Sequence, residues 1–302
     1  MKKNKRAVKQ NAAVMAIIIF VILTIYVISK TSMYVWGFFT SLKSNYELHK
    51  SMISFPKGWP WEWEWGNYIT AFTSIKVDVN LPGGGVGSAY FDTMLLNSLL
   101  YTIGGSMICS LTTWLVAYMM VKFNNIKLNS ILYTINIMLM TIPVYGTLPA
   151  ALKIFKTFGW YNNYSFIIFN NLAFTGTNLM YFHAFINGLG REFYEAAYVD
   201  GAGNFCIMTR ITFPLTQSMF WVFFLTGAIS RWNDYMTMVI WMPDYPTLAY
   251  GLFKASISSA TELSFPPTQI AICMTLMLPM MVLFFMFQEQ MLGNLRVGAI
   301  KG

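Results

Sequence analysis

Residues 191–217 read REFYEAAYVDGAGNFCIMTRITFPLTQ and lie between two long apolar stretches. The segment is moderately apolar, but polar residues and glycines interrupt it too often for it to cross a membrane as one helix. Residues 195–200 favour a short helix, and Gly201 or Gly203 can end that helix in the left-handed conformation. The segment therefore predicts a short helix followed by a sharp turn.

A second short helix is predicted after this turn. Asn204 is a suitable N-cap for a helix that extends to residue 210, and Pro214 suits the first turn of the apolar helix that follows. Ala196 and Ala197 are small enough to let the first helix approach another protein surface closely. The whole segment is thus predicted to form a helix-turn-helix at a membrane surface, with a face that fits a groove.

The composition of the chain places this segment in a membrane protein. Of the 302 residues, 56% are hydrophobic and only 11% are charged, and the mean hydropathy is +0.50. Soluble domains contain about 25% charged residues, because water-facing surfaces must be solvated. These values exclude a soluble enzyme of ordinary composition, a disordered chain and a coiled coil. We expect an all-α, polytopic membrane protein.

Six apolar stretches are long enough to span a bilayer, which requires about 20 residues. They are residues 12–28 (continuing more loosely to 39), 93–121, 130–152, 164–186, 216–241 and 268–287. Basic residues precede the first stretch, so a cleaved signal peptide is an alternative there. However, the apolar run exceeds the usual length of a signal sequence, and Ser-Lys-Thr at 29–31 is a poor cleavage site. We therefore predict a retained first helix.

The distribution of basic residues orients the six spans with both termini in the cytoplasm. The segments 1–11, 122–129, 187–215 and 288–302 then contain eleven Lys and Arg residues, against eight in the outer segments. Lys and Arg are enriched on the cytoplasmic side of membrane proteins. This rule also explains the basic cluster at the N-terminus, which therefore indicates no nucleic-acid partner.

The 191–217 segment resembles the cytoplasmic loop of the permease subunits of ABC importers, whose pattern is E-A-A---G---------I-L-P. The residues that match this pattern are Glu195, Ala196, Ala197, Gly201, Ile211 and Pro214, and Asp200 and Ala202 complete the D-G-A core of the sugar branch. Phe213 departs from the pattern, because the family usually has Leu there, but it is also a large apolar residue.

Further elements resemble the maltose-type carbohydrate branch of these importers, in its second-permease form. Trp232, Asn233 and Asp234 resemble the W-N-D/E element of that branch. Other matches are F-P, N-Y and A-F within residues 55–72, T-L-x-x-G-L at 247–252, and the C-terminal G-A-I-K-G at 298–302. The resemblance covers almost the whole chain and is most specific over residues 190–302.

The resemblance implies a type I ABC importer permease fold with six transmembrane helices and cytoplasmic coupling helices. The implied regions are the cytoplasmic N-terminus with the first helix (1–39), an extracytoplasmic loop (40–92), the permease domain with its coupling loop 191–217 (93–290), and a cytoplasmic tail (291–302). The implied partners are a homologous second permease, two ABC ATPase subunits and an extracytoplasmic solute-binding protein. The substrate would be a carbohydrate, and the location a bacterial cytoplasmic membrane.

In that family the coupling loop docks into a groove of the ATPase subunit, and ATP-driven closure of the ATPase pair switches the permeases between inward- and outward-facing states. The resemblance gives Glu195 a polar or ionic contact at the groove and Gly201 the bend. The sequence has no G-x-x-x-x-G-K-[ST] phosphate loop, and the glycines of residues 83–87 lack the Lys-Ser/Thr that would follow. We therefore expect no catalytic residue, cofactor or metal here, with ATP used by the partner subunits.

Alternatives remain open for several features. Trp232, Asn233 and Asp234 could line the translocation path, since ionisable groups at membrane depth usually face a polar cavity, or Arg231 and Asp234 could form a helix-surface pair. The alternating Trp residues of 59–65 could contact sugar or a binding protein, although such residues more often anchor at a membrane interface. For the whole chain, the alternatives are a permease for a polyamine or glycerol phosphate, an ion-coupled secondary transporter, and a membrane scaffold or insertase.

Overall fold

The computed structural model describes residues 2–81, 83–142, 146–257 and 262–292. Within these ranges the chain is mainly helical, with a two-stranded sheet of β1 (Lys76–Asn80) and β2 (Val86–Tyr90). The helices are α1 (Lys2–Ser41), α2 (Asn45–Lys50), α3 (Gly66–Ser74), α4 (Phe91–Lys122), α5 (Lys127–Thr141), α6 (Leu148–Thr157), α7 (Ser165–Asn171), α8 (Thr177–Asn187), α9 (Arg191–Val199), α10 (Asn204–Trp232), α11 (Met236–Trp241), α12 (Leu248–Ile257) and α13 (Pro266–Leu292).

The chain divides into two compact units. One comprises the residues up to Ser74 together with Ala255–Thr275, and the other comprises Ile75–Lys254 and the chain from Leu276 onwards. The 191–217 segment and the residues 231–234 both belong to the second unit.

Four helices in the described part of the chain are long and apolar enough to cross a membrane. They are Ala13–Ser41, Phe91–Lys122, Asn204–Trp232 and Pro266–Gln290, which contain the predicted first, second, fifth and sixth spans in whole or in large part. The first of them exposes apolar side chains on all sides; Phe20, for example, is 71% exposed. A helix that is apolar all round requires lipid or other membrane helices as its surroundings.

The third and fourth apolar stretches, each predicted as one membrane span, are each divided into two helices. In the third stretch α5 ends at Thr141 and α6 begins at Leu148, with Gly146 at φ +76° between them. In the fourth stretch α7 ends at Asn171, and Gly176 precedes α8 at φ +116°. A right-handed helix cannot continue through a positive φ, which glycine adopts readily. Pro143 lies outside the described residues.

The fifth stretch is also shorter than predicted. The spanning helix ends at Trp232, and residues 236–241 form the separate helix α11. The carboxylate of Asp234 accepts a hydrogen bond from the backbone N–H of Thr237 at 3.0 Å. This is the contact by which an Asp side chain satisfies the free N–H groups of a new helix.

The hairpin of β1 and β2 was not predicted from the sequence. Lys76 pairs with Tyr90 and Asn80 with Val86 in antiparallel register. The glycines of the connection have φ values of +108° (Gly83), +91° (Gly84) and +109° (Gly85), as expected for a glycine turn. The strands are only five residues long, and turn residues dominate this region, so the strand pattern is weak.

The core of the second unit joins α4, α8 and α10. Trp114 of α4 is 2% exposed, and Phe182 of α8 and Phe220 of α10 belong to the same buried cluster. The indole N–H of Trp114 donates to Oγ1 of Thr216 at 2.8 Å, which satisfies the polar edge of a buried indole. This packing holds α4, α8 and α10 together. The 191–217 segment follows α8 and includes the start of α10.

Candidate functional site

The first helix of the 191–217 segment is α9, and its predicted end is confirmed. The N–H of Gly201 donates to the carbonyl of Tyr198 at 3.0 Å, and that of Ala202 donates to the carbonyl of Ala197 at 2.9 Å. Gly201 has φ +78°. These are the bonds and the left-handed residue of a glycine-terminated helix end. The helix begins at Arg191, four residues before the predicted start.

The second helix of the segment differs from the prediction. It begins at Asn204, but Gly203 is the N-cap, and Oδ1 of Asn204 instead accepts a hydrogen bond from the hydroxyl of Tyr198 at 2.6 Å. It also does not end at residue 210, because a π-helical stretch, Ile207–Thr212, continues it into the spanning part of α10. Pro214 has no N–H to donate, and the widened turn before it accommodates the resulting change in hydrogen bonding.

The residues that match the family pattern occupy two faces of this segment. Glu195, Ala196 and Asp200 are exposed, and Pro214 is exposed as well. Ala197 is 7% exposed and Ile211 is half-buried. The polar and small residues of α9 are thus available for contact, while Ala197 faces the interior.

Two further exposed residues of the segment were missed by the sequence reasoning. Val199 is 88% exposed and Phe205 is 74% exposed. They lie on either side of the Gly201 turn, and the described residues of the chain leave their side chains exposed. The sequence did contain a signal for these two residues, because both are apolar and lie in a segment predicted to be outside the membrane.

The inner side of α9 rests on the end of α4. The ammonium of Lys122 lies 4.8 Å from the ring centroid of Tyr194 and 4.4 Å from that of Tyr198. Burial raises the pKa of the Tyr194 phenol. A cavity of about 270 Å³ lies beside this contact, and Glu195 and Lys122 are among the residues that line it.

The three residues of the W-N-D element have different surroundings. Trp232 is 4% exposed, and its indole N–H donates to the carbonyl of Leu276 at 2.9 Å. Asn233 is exposed, and its amide donates to the carbonyl of Ile229 at 2.8 Å. Asp234 is half-buried and accepts a hydrogen bond from the hydroxyl of Tyr101 at 3.2 Å. Trp232 therefore packs inside the unit, and Asn233 is the member that reaches its surface.

Arg231 takes part in a polar contact that the sequence did not predict. Its Nε donates to Oδ1 of Asn171 at 2.8 Å, and one terminal nitrogen donates to the carbonyl of Gly227 at 3.2 Å and to Oγ of Ser106 at 3.4 Å. Arg231 and Asp234 thus bond to different partners, which does not match the alternative of an i, i+3 pair between them. Arg231 instead connects α4, α7 and α10.

No group of three or more His, Cys, Asp or Glu side chains that could hold a metal ion occurs among the residues that the structure describes. Tyr194 and Tyr198 of the 191–217 segment contact the ammonium of Lys122, and Arg231, Asn233 and Asp234 form hydrogen bonds. They place an exposed segment at one end of α10 and a polar region around Asp234 at the other end of the same helix.

Comparisons with known proteins give matches over most of the chain. The family model described as "Binding-protein-dependent transport system inner membrane component" matches residues 112–292. The melibiose/raffinose/stachyose import permease protein MelC of Bacillus subtilis (strain 168) is 27% identical over 222 residues, which cover 72% of this chain and 77% of MelC. The diacetylchitobiose uptake system permease protein NgcG of Streptomyces coelicolor (strain ATCC BAA-471 / A3(2) / M145) is 23% identical over 269 residues, covering 88% of this chain and 82% of NgcG.

A solved structure shows the same fold. It is the crystal structure of a bacterial ABC transporter involved in the import of the acidic polysaccharide alginate, one chain of which superposes with a TM-score of 0.62 at 18% sequence identity. The match covers 91% of this chain and 96% of the other. This likeness confirms the predicted all-α importer-permease fold class.

Proposed function

The chain belongs to the family of binding-protein-dependent transport system inner membrane components, and from this premise we propose that it is a permease subunit of an ATP-driven carbohydrate importer. Membership makes it a multi-pass membrane component without catalytic activity of its own, which works with a partner permease, an ATPase and a solute-binding protein. The observation that carries the proposal is the match over residues 112–292, which contains the whole 191–217 segment.

The proposal of a carbohydrate substrate is supported by the relatives. MelC is named for melibiose, raffinose and stachyose import and NgcG for diacetylchitobiose uptake, and all of these are oligosaccharides. The W-N-D element and residues 247–252 of this chain match the sugar branch in sequence. We therefore favour an oligosaccharide over a polyamine or glycerol phosphate.

The exposed face of α9 is the proposed docking surface for the ATPase partner. Glu195 and Asp200 supply charge there, Ala196 allows close approach, and Gly201 supplies the turn to α10. Because α10 runs without interruption from Asn204 to Trp232, a displacement of its docking end is carried to the opposite end of the same helix. This continuity supports a mechanical link between ATP hydrolysis by the partners and the polar region around Asp234.

Asn233 and Asp234 are the proposed contributors to the translocation path. Asn233 is exposed, and Asp234 is held by Tyr101 and by the start of α11. Ionisable groups at membrane depth face polar cavities or other polar groups, because burial in lipid is costly. Trp232, which is buried, would act by positioning this end of α10 against the Leu276 carbonyl.

The arrangement in the membrane is proposed from the same elements. We propose cytoplasmic termini in a bacterial cytoplasmic membrane, with regions 1–39, 40–92, 93–290 and 291–302 as expected from the sequence. The 191–217 segment then lies on the cytoplasmic side, where an ATPase subunit is available. Most of the tail, including the G-A-I-K-G element at 298–302, lies outside the described residues.

The proposal is tested by reconstituting the chain in liposomes with its second permease, two ATPase subunits and binding protein. We expect uptake of a radiolabelled oligosaccharide that requires ATP and stops when the ATPase Walker lysine is substituted. The purified chain alone should hydrolyse no ATP. Uptake that persists with the inactive ATPase and follows an ion gradient would show that the chain is a secondary transporter instead.

A further inference from the structure

Lys122 is the last residue of α4, and two tyrosines of α9 contact its ammonium group. Tyr194 and Tyr198 are four residues apart on α9, so their rings lie on the same face of that helix. The ammonium is 4.8 Å from one ring centroid and 4.4 Å from the other. Both distances are within the range of about 6 Å in which a cation is attracted to an aromatic face.

A second contact from α4 reinforces the first. Tyr118 precedes Lys122 by one helical turn and donates its hydroxyl to the carbonyl of Asn204 at 3.4 Å. The hydroxyl of Tyr198 donates to the side chain of the same Asn204. The end of α4 therefore contacts both helices of the 191–217 segment, on either side of the Gly201 turn.

The surroundings of this contact are not fully packed. A cavity of about 270 Å³ separates parts of α9 from the ends of α4 and α8, and its lining includes Glu195, Asn124 and Asn187. Packed side chains and hydrogen-bond networks can carry coupling between elements of a protein. The Lys122 contact with the two rings borders this open space and connects α9 to α4.

We propose that Lys122 is a positioning residue that couples the movement of α9 to the spanning helix α4 through Tyr194 and Tyr198. This inference rests on the proposed function, since it assumes that an ATPase partner moves α9. It adds a second route to the one through α10. The first route passes along the continuous helix from Asn204, and the second passes from the rings of α9 into the end of α4.

The test uses the reconstituted importer and measures substrate imported per ATP hydrolysed, at equal amounts of assembled complex. Lys122→Met should lower this ratio by about threefold or more, as expected for the loss of a partly desolvated cation–π contact. Lys122→Arg keeps a cation over the rings and should remain near the wild-type ratio. Lys127→Met changes an exposed lysine at the start of α5, close to Lys122 in sequence; it is the matched control and should change nothing.

The rings are tested separately, because Tyr198 is 46% exposed and its substitution leaves the core intact. Tyr198→Leu should lower the ratio, whereas Tyr198→Phe keeps the ring, loses the bond to Asn204 and should retain more coupling. Lys122→Met combined with Tyr198→Leu should add little to either single change, because the two residues form one contact. A ratio unchanged in Lys122→Met, or equally low in Lys122→Arg, would refute the positioning role.

A measurement on the purified chain separates this inference from the proposed function. A spin label on Val199→Cys, in a background with Cys109, Cys206 and Cys273 replaced by Ser, reports how firmly α9 is held. Lys122→Met should increase the mobility of the label, and Lys122→Arg should not. An inactive wild-type importer would count against the proposed function alone, whereas unchanged label mobility in Lys122→Met would count against the positioning role of Lys122.

Discussion

The Nε of Arg231 donates a hydrogen bond to Oδ1 of Asn171 at 2.8 Å, joining residues that are 60 positions apart in sequence. Asn171 is 4% exposed, and its own amide group donates to the carbonyl of Ile167. The guanidinium reaches Asn171 from the last turn of α10, whereas Asn171 is the last residue of α7. A charged group at this depth requires such partners, because lipid offers none.

Asn171→Leu should destabilise the protein, because the substitution leaves the Nε–H of Arg231 without its partner. Hydrogen bonds to charged groups contribute about 1.5–3 kcal/mol. We expect a corresponding loss in thermal stability of the detergent-solubilised protein. The neighbouring Asn170 is exposed, and Asn170→Leu should have a much smaller effect. Equal effects of the two substitutions would contradict the assigned role of Asn171.

Gly227→Ala should lower the stability of the wild-type protein but raise the stability of the Arg231→Met variant. A Cβ at position 227 would lie 2.9 Å from a terminal nitrogen of Arg231, so that group must shift and lose its bond to Ser106 or to the Gly227 carbonyl. In an Arg231→Met background this conflict is absent, and alanine stabilises a helix interior by about 0.5–1 kcal/mol relative to glycine. Thermal unfolding of the four proteins in this cycle measures the coupling. An effect of Gly227→Ala that is the same in both backgrounds would rule the contact out.

Glu195→Lys combined with Gly201→Pro should abolish uptake and ATPase coupling while the protein is still inserted. Proline requires φ near −65°, whereas Gly201 has φ +78°. The charge reversal removes the proposed contact with the ATPase. Gly203→Ala is the control, since Gly203 has φ −73° and no atom within 4 Å of an added Cβ. Normal transport by the double variant would show that this segment does not couple the subunits.

Lys43 should make the stability of the first unit depend on pH in the alkaline range. It is 1% exposed, its ammonium donates to the carbonyls of Ser51 at 3.2 Å and Met52 at 3.3 Å, and burial lowers its pKa from 10.5. A lowered pKa in the folded state means that the fold binds the proton less well than the unfolded chain does. The contribution of Lys43 to the free energy of unfolding is therefore fully present above pH 10.5. It is lost as the pH falls through the pKa that Lys43 has in the folded protein.

The melting temperature of the wild type minus that of Lys43→Met should therefore rise as the pH increases towards 10.5. Thermal unfolding followed at several pH values between 7 and 10.5 measures this difference. Lys57→Met serves as the control, because Lys57 is exposed in the same unit. A difference between wild type and Lys43→Met that does not vary with pH would show that burial of Lys43 has no such consequence.

The family and the C-terminal end of α9 could be predicted because they depend on local sequence. The E-A-A---G spacing is a short-range pattern, and Gly201 is the residue type that a left-handed helix end requires. The breaks at Gly146 and Gly176 were harder to predict, because membrane helices tolerate glycine and whether one breaks a helix depends on its neighbours. The extension of α10 through Pro214 was missed for a similar reason, since proline usually marks a helix start.

The sequence by itself determined that this chain crosses a membrane, where the family-matching 191–217 segment lies and to which family the chain belongs, because hydropathy and motif spacing are properties of consecutive residues. Only the tertiary structure decided that Arg231 bonds to Asn171, that Trp232 is buried, and that Lys122 lies against Tyr194 and Tyr198. These contacts join residues from different helices. They depend on how those helices pack, which the order of residues along any one helix does not specify.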